Sequence, residues 1–476
     1  MIFYPEYPFN DQISNESNYV YDGVRRSLKI LKYDINNYNT PDWNPLGNII
    51  QPGMTVFIKP NFVISNHAQK GNIWSIITHP SVLRAIIDYC WIALKGSGKI
   101  ILGDAPQYDC NFDELKEIGG LEQFCDFFSS QNGPKFELLD LRNYWSRGKH
   151  FESMKEHLDG DPKGSISVNL GRQSKIYDLT NSENLYGAAY HRDETIKNHS
   201  GFNQNYELSR TIMESDVFIS VPKMKVHKKV GVTLNIKGLV GINTNKNMIV
   251  HYRLKPPSKG GDQYPDNLFN SIEECLIKTE RWMYDHLLSS GNLFLEYFHR
   301  SIYWLHNHST KLLGLKVAEH KRLQDAGNWY GNDSAWRMTV DLARIIYYCD
   351  KNGNLKDTIQ RKMFTFIDGV IGGENNGPLI PDAVNSGIII AGDDLITTDI
   401  VATRLMGINP LKLKMYSSII NSKDFPLKDI STKSIKIYTD NEKWKYCLTK
   451  NDNNFCDYKP HPGWIGKIEI EKSSGN

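Results

Sequence analysis

Long apolar runs are missing from this chain. No stretch of about 20 uncharged apolar residues occurs, so the sequence offers nothing to span a membrane. An excess of one charge is missing too: 56 basic side chains face 54 acidic ones, a net charge of +2. No global field recruits nucleic acid, and any basic site is local. The seven cysteines stand apart at positions 90, 110, 125, 275, 349, 447 and 456, with no Cys-x-x-Cys and no cysteine–histidine pair at zinc spacing. That argues against an intrinsic iron–sulfur cluster, a zinc knuckle or a disulfide framework, and for reduced thiols. The opening Met1–Glu6 lacks the basic and apolar regions of a secretory signal, so the expected location is the cytoplasm. Neither Gly-x-Ser-x-Gly nor His-Glu-x-x-His occurs, which argues against a serine hydrolase or a zincin. The glycines of residues 369–377 lack the spacing of a Walker loop or a dinucleotide fingerprint.

What is present is an alternation of short β-branched runs with amphipathic stretches. Thr55–Lys59 reads as a strand and Ser81–Leu94 as a helix, stopped by Gly96-Ser97-Gly98. Lys99–Asp104 follows as a strand, then a helix over Asp113–Phe128 and a strand at Phe136–Leu139. Strand, helix and strand with short connections predict an α/β fold, a mostly parallel sheet flanked by helices. The first part of this core spans 51–241, after an N-terminal arm at 1–50. It holds an irregular insertion at 141–205, with a hairpin expected between Ile166–Val168 and Lys175–Tyr177. Residues 242–330 read as a helical, aromatic-rich insertion. The core resumes over 331–410, and 411–476 forms a C-terminal arm with one strand near Ile435–Tyr438.

The most informative segment is Val221-Pro222-Lys223-Met224-Lys225-Val226-His227-Lys228-Lys229, directly after the apolar strand Asp216–Ser220. Pro222 is expected to end that strand and release four lysines and a histidine at its carboxyl edge, where open α/β sheets bind ligands. Thr233, Asn235 and Lys237 come next. So many donors suit a phosphate or a carboxylate. Other strand ends contribute groups of the same kind: Lys59, Asn61, Thr78 and His79; Asp104 and Gln107; Asp368 and Glu374. Parallel strands bring such ends to one edge. His79, Asp104, His227 and Asp368 are the candidates for proton transfer. Lys59, Asn61, Thr78, Gln107, Lys223, Lys225, Asn235 and Lys237 are the candidates for binding ligand. Asp104, Asp368 and Glu374 are the candidates for holding a divalent metal. His79 has a plainer alternative as the cap of the helix beginning at Ser81. On the helix Trp336–Tyr348, the spacing of Arg337, Asp341 and Arg344 puts three charges on one face, read here as pointing inward to brace the edge.

These segments, taken in order, resemble the domain of unknown function 362 family. The resemblance rests on Ile58-Lys59-Pro60-Asn61, Thr78-His79-Pro80, Gly103-Asp104, Val221–His227, Leu234–Gly238, Ile367-Asp368-Gly369 and Gly377-Pro378, with Asp394 and Asp399 in the next helix. The match runs over about residues 50–410 and corresponds to a form without the ferredoxin-like segment of some relatives. The N-terminal half is also distantly similar to the substrate domain of the nickel-pincer lactate racemase family. The expectation is an enzyme acting on a small or glycosyl-linked anionic metabolite, metal-assisted or not, of the kind met in bacterial polysaccharide biosynthesis. The alternative is a non-catalytic protein that captures an anionic ligand or a metal cofactor. Peripheral membrane contact through the aromatic insertion is a further expectation; the sequence does not indicate an oligomeric state.

Overall fold

The computed structural model describes residues 4–9, 16–146, 155–188, 191–288, 292–318, 322–420, 422, 435–449 and 455–471. Its centre is a nine-stranded sheet. In chain order the strands are β1 (Thr55–Pro60), β2 (Lys99–Asp104), β3 (Lys135–Asp140), β4 (Val217–Val221), β5 (Lys223–His227), β6 (Gly231–Val232), β7 (Lys362–Glu374), β8 (Asp382–Val384) and β9 (Ile388–Gly392). Across the sheet they run β6-β5-β7-β4-β1-β2-β3, with β8 and β9 also paired to β7. Every pairing from β5 to β3 is parallel, and β6, β8 and β9 join antiparallel. This is the expected α/β architecture.

Both faces of the sheet are buried, which is why its strands read as near-continuous apolar runs. Alternate residues of β1 enter different cores: Phe57 packs with Ile101 and Phe218 on one face, Val56 and Ile58 with Ile100 and Val217 on the other. The helix Pro80–Leu94 covers the second face and is packed in turn by the helix Tyr19–Ile30 of the N-terminal arm. The helix expected over Asp113–Phe128 is two helices, Phe112–Gly119 and Leu121–Ser130, broken at Gly120, whose φ of 57° ends the first in the left-handed region.

The strand does break at Pro222, but the chain does not leave the sheet there. β4 lies between β1 and β7 as far as Val221; beyond the proline the chain keeps following β7 as β5, with Lys223 opposite Asp368 and Lys225 opposite Gly373. Only a carbonyl is needed at the proline, and Pro222 O accepts from Asp368 N at 2.9 Å. The expected basic loop is thus a buried strand. β7 is correspondingly long, running on through Gly369, Gly372 and Gly373 to Glu374.

The hairpin expected within 141–205 is also differently made. Ser165–Asn169 pairs antiparallel with Asn203–Ser209, not with 175–177. Residues 435–438 are not a strand. Elsewhere in the C-terminal arm, Tyr458, Trp464 and Ile468 pack into the main core. Asp341 does point inward and is fully buried, but it braces no cavity. It accepts from Ser174 Oγ, Lys175 N (2.7 Å) and Tyr206 Oη (2.9 Å). Arg337 turns to Asp333, while Arg344 donates to Gln173 and its charge still acts on Asp341.

Candidate functional site

A cavity of about 340 Å³ opens at the carboxyl edge of the sheet. β1 supplies Lys59 with Asn61 just beyond it, and β2 supplies Asp104 with Gln107, Tyr108 and Asp109 just beyond it. β5 supplies Lys225 and His227, followed by Lys228 and Lys229. In an extended strand, residues two apart share a face. Lys225 and His227 therefore turn to the cavity while Met224 and Val226 enter the core. The segment after β6 closes the floor with Thr233, Lys237 and Gly241. The far wall comes from the two insertions: Leu185–Gly187 pairs with Val250–Arg253, bringing His191 and His251 to one side, and Lys155 and Lys246 join them.

Most of these lysines are held in place. Lys59 Nζ lies 2.9 Å from Asp104 Oδ1 and donates to Pro60 O, while Asp104 Oδ2 accepts from Phe62 N at 2.8 Å. Gly241 presses on this ion pair so closely that a Cβ there would sit 1.9 Å from Asp104 Oδ1 and 2.6 Å from Lys59 Nζ. Lys225 Nζ donates to Ile76 O (2.6 Å) and Pro378 O (3.2 Å), and Lys246 Nζ to Asn243 O and Val240 O. Lys229 Nζ reaches Ala326 O and, at 3.0 Å, Asn328 Oδ1. His227 Nδ1 accepts from Lys229 N at 3.0 Å, which assigns the ring proton to Nε2. Some groups are left unsatisfied: the Lys237 and Lys228 amines have no hydrogen-bond or ion-pair partner among the described residues, and Thr233 Oγ1 is buried without one.

The electrostatics follow from the inventory. Seven lysines and three histidines line the cavity against two acids, Asp104 and Asp109. Burial disfavours the charged amines, and the neighbouring cations add to it. Lys237 is pushed down to about 7 by burial and then by Lys59; Lys246 is pushed down to about 7 by burial, against the opposing pull of Asp104. Lys225 and Lys229 fall well below the usual lysine range, again through burial first and adjacent lysines second. His227 and His251 are held neutral by the same two causes. An anion in the cavity would reverse both.

Of the candidate residues, Lys59, Asn61, Asp104, Gln107, Lys225, His227 and Lys237 come together around this cavity. The others lie outside its lining. Lys223 and Asp368 form an ion pair at 2.7 Å with both side chains wholly buried. Asp368 also accepts from His79 N (2.8 Å) and Val370 N (3.1 Å). The side chain of His79 caps the helix Pro80–Leu94 by accepting from Ser81 N at 3.1 Å, and its ring lies against Trp74. Thr78 Oγ1 ties Asn61 N to Val221 O. Asn235 is locked to Asp399 and Thr365, and burial pushes the Asp399 carboxyl up to about 7. Glu374 accepts from Lys459 N at 2.9 Å.

The three acids named for a metal therefore have separate partners, and no cluster of three His, Cys, Asp or Glu side chains occurs among the described residues. They do not fit a metal centre. Sequence reasoning missed Lys155, His191, Lys246 and His251 as lining residues. Lys228, Lys229 and Thr233 sit within or just after the basic segment, and their alternation with Val230 and Val232 was a usable signal.

The parallel sheet and the strand-edge cavity define an α/β protein with a basic site at the carboxyl edge of its strands. Residues 161–404 match the family described as Domain of unknown function (DUF362), and the chain belongs to that family. The matched region holds β4, β5, β7 and the segment through His251; Lys59 and Asp104 precede it. The chain is also similar to the thylakoid-associated protein sll1697 of Synechocystis sp., 24% identical over 196 residues, which are 41% of each chain. It thus spans about two-fifths of the length of that curated relative.

Proposed function

We propose that this protein is an enzyme that binds a small metabolite bearing at least two anionic groups, phosphate or carboxylate, in the lysine-lined cavity. One observation carries the reading: seven lysines and three histidines face two acids, with the Lys237 amine and the Thr233 hydroxyl left unpartnered. A dianion satisfies those donors and restores the charge that burial suppresses. Lys225, Lys229 and Lys246, already oriented by backbone carbonyls, bind it with little further ordering. Lys237 is the group free to exchange a proton with it near neutral pH, and the neutral His227 ring offers a donor at Nε2. The cavity volume lies within the usual range for small-molecule sites and suits a glycosyl-linked phosphate of the kind used in polysaccharide synthesis. Capture without turnover uses the same residues and is the second reading, favoured by how many of the lysines are already anchored.

The test is calorimetric titration of inorganic pyrophosphate into the wild type and into Lys237→Met. A charge-assisted hydrogen bond contributes roughly 1.5–3 kcal/mol, so the variant should bind about ten-fold to a hundred-fold more weakly. Equal affinity in the two proteins, or no binding by the wild type, removes the reading.

A further inference from the structure

The helical insertion carries its apolar face on the outside. In the helix Leu293–Leu312 the buried positions are Glu296, His299 and Thr310, and the half-buried ones include Arg300 and His306. The polar side faces Glu280 of the helix Ser271–Met283, itself paired with Arg322. The exposed side is Phe294, Tyr297, Phe298, Trp304, Leu305 and Leu312, with Phe294 76% and Trp304 66% exposed. Their spacing puts them on one stripe along a helix about 30 Å long. Ile272 and Trp282 of the neighbouring helix are exposed as well. A solvated helix does the opposite, and exposed apolar surface of this extent marks an interaction site.

The charges around the stripe indicate what covers it. Within residues 271–318 the exposed charged side chains, among the described residues, are Lys278, Lys311 and Lys316. None of the five acids there, Glu273, Glu274, Glu280, Asp285 and Glu296, is exposed. A second copy docked face to face would set lysine against lysine. An anionic lipid surface meets both features, since tryptophan and tyrosine favour the headgroup level and lysines favour anionic lipids. We propose that the helix Leu293–Leu312 lies flat on a membrane rich in anionic lipid, its aromatic stripe inserted and its lysines at the headgroups. No helix among the described residues is long and apolar enough to cross a membrane, so this contact is peripheral.

Flotation with phosphatidylcholine vesicles, with and without about one-third phosphatidylglycerol, tests this. The full-length protein should float with the anionic vesicles, bind pure phosphatidylcholine far less, and release in high salt. Phe294→Glu/Trp304→Glu should lower the bound fraction at least ten-fold, with circular dichroism and pyrophosphate affinity unchanged. Lys278→Glu/Lys311→Glu, which alters only exposed groups, should lose binding to the anionic vesicles selectively. A wild type that stays unbound overturns the proposal. So does equal flotation by both double variants, or a wild-type dimer by light scattering that the aromatic variant dissociates while neither floats.

Discussion

Asp368→Ala separates a structural acid from a catalytic one. Asp368 receives three donors: Lys223 Nζ at 2.7 Å, His79 N at 2.8 Å and Val370 N at 3.1 Å. Both ion-pair side chains are wholly buried. Truncating the acid leaves an ammonium without a counter-charge, and burial already holds the Lys223 amine below its ordinary range despite Asp368. Breaking such a pair costs roughly 3–5 kcal/mol, partly relieved if Lys223 gives up its proton. Asp368→Asn keeps an acceptor and should lose less, about 1–3 kcal/mol. Lys223→Met/Asp368→Leu removes the charge from both sides and should recover most of the loss, because the pair's attraction only offsets its desolvation. Urea denaturation monitored by tryptophan fluorescence reads all three, with the slope checked for two-state behaviour. Pyrophosphate affinity should change little in any variant that folds. A loss under about 1 kcal/mol together with abolished binding would make Asp368 part of the site and not of the scaffold.

Gly241→Ala should break the Lys59–Asp104 pair, because its Cβ would fall 1.9 Å from Asp104 Oδ1. A melt should show about 2–4 kcal/mol lost and calorimetry a weaker pyrophosphate site, whereas an unchanged variant would mean the segment after β6 yields freely. Asp341→Ala strands buried donors from Ser174, Lys175 and Tyr206 and should cost about 3 kcal/mol in denaturant melts; a loss below about 1 kcal/mol contradicts that account. The Asp341 carboxyl is raised by burial from 3.8 to about 6, so the protonation-linked part of its stability is present below pH 4 and lost as pH rises through 6, while its three accepted hydrogen bonds persist. Asp341→Asn should flatten the acid side of the stability profile relative to the wild type.

The parallel core was legible because buried strands and an amphipathic helix write different periods into the chain. Lys59, Asp104, Lys225 and Lys237 were legible for a related reason: polar groups just past an apolar run mark the edge where strands end. Lys223 and Asp368 carried the same mark and mean something else. The chain continues past Pro222 along β7, so these two meet inside the sheet, and only the pairing partner reveals it. His79 satisfied both of its readings until the helix placed its ring over Ser81 N. Lys155, His191, Lys246 and His251 were illegible because they lie in the two insertions, on or beside short elements whose burial depends on one insertion packing on another. The pairing of Ser165–Asn169 with Asn203–Ser209 likewise skips a nearer candidate, and nothing local specifies that choice.

In the proposed site the buried lysines lie discharged until an anion arrives. Lys237 and Lys246, held near 7, are largely neutral at pH 8, and a bound anion raises them, so binding takes up protons. Affinity should be greatest below pH 7 and fall as pH rises through that value, by up to about ten-fold per unit for each proton coupled. Ethanedisulfonate, which carries two charges and takes no proton in this range, isolates the protein's contribution. Titrated calorimetrically at pH 8 in two buffers of different ionisation enthalpy, it should show uptake of about one proton, reduced in Lys237→Met. Binding with the same enthalpy in both buffers, or no binding at any pH from about 6 to 8, would contradict the account.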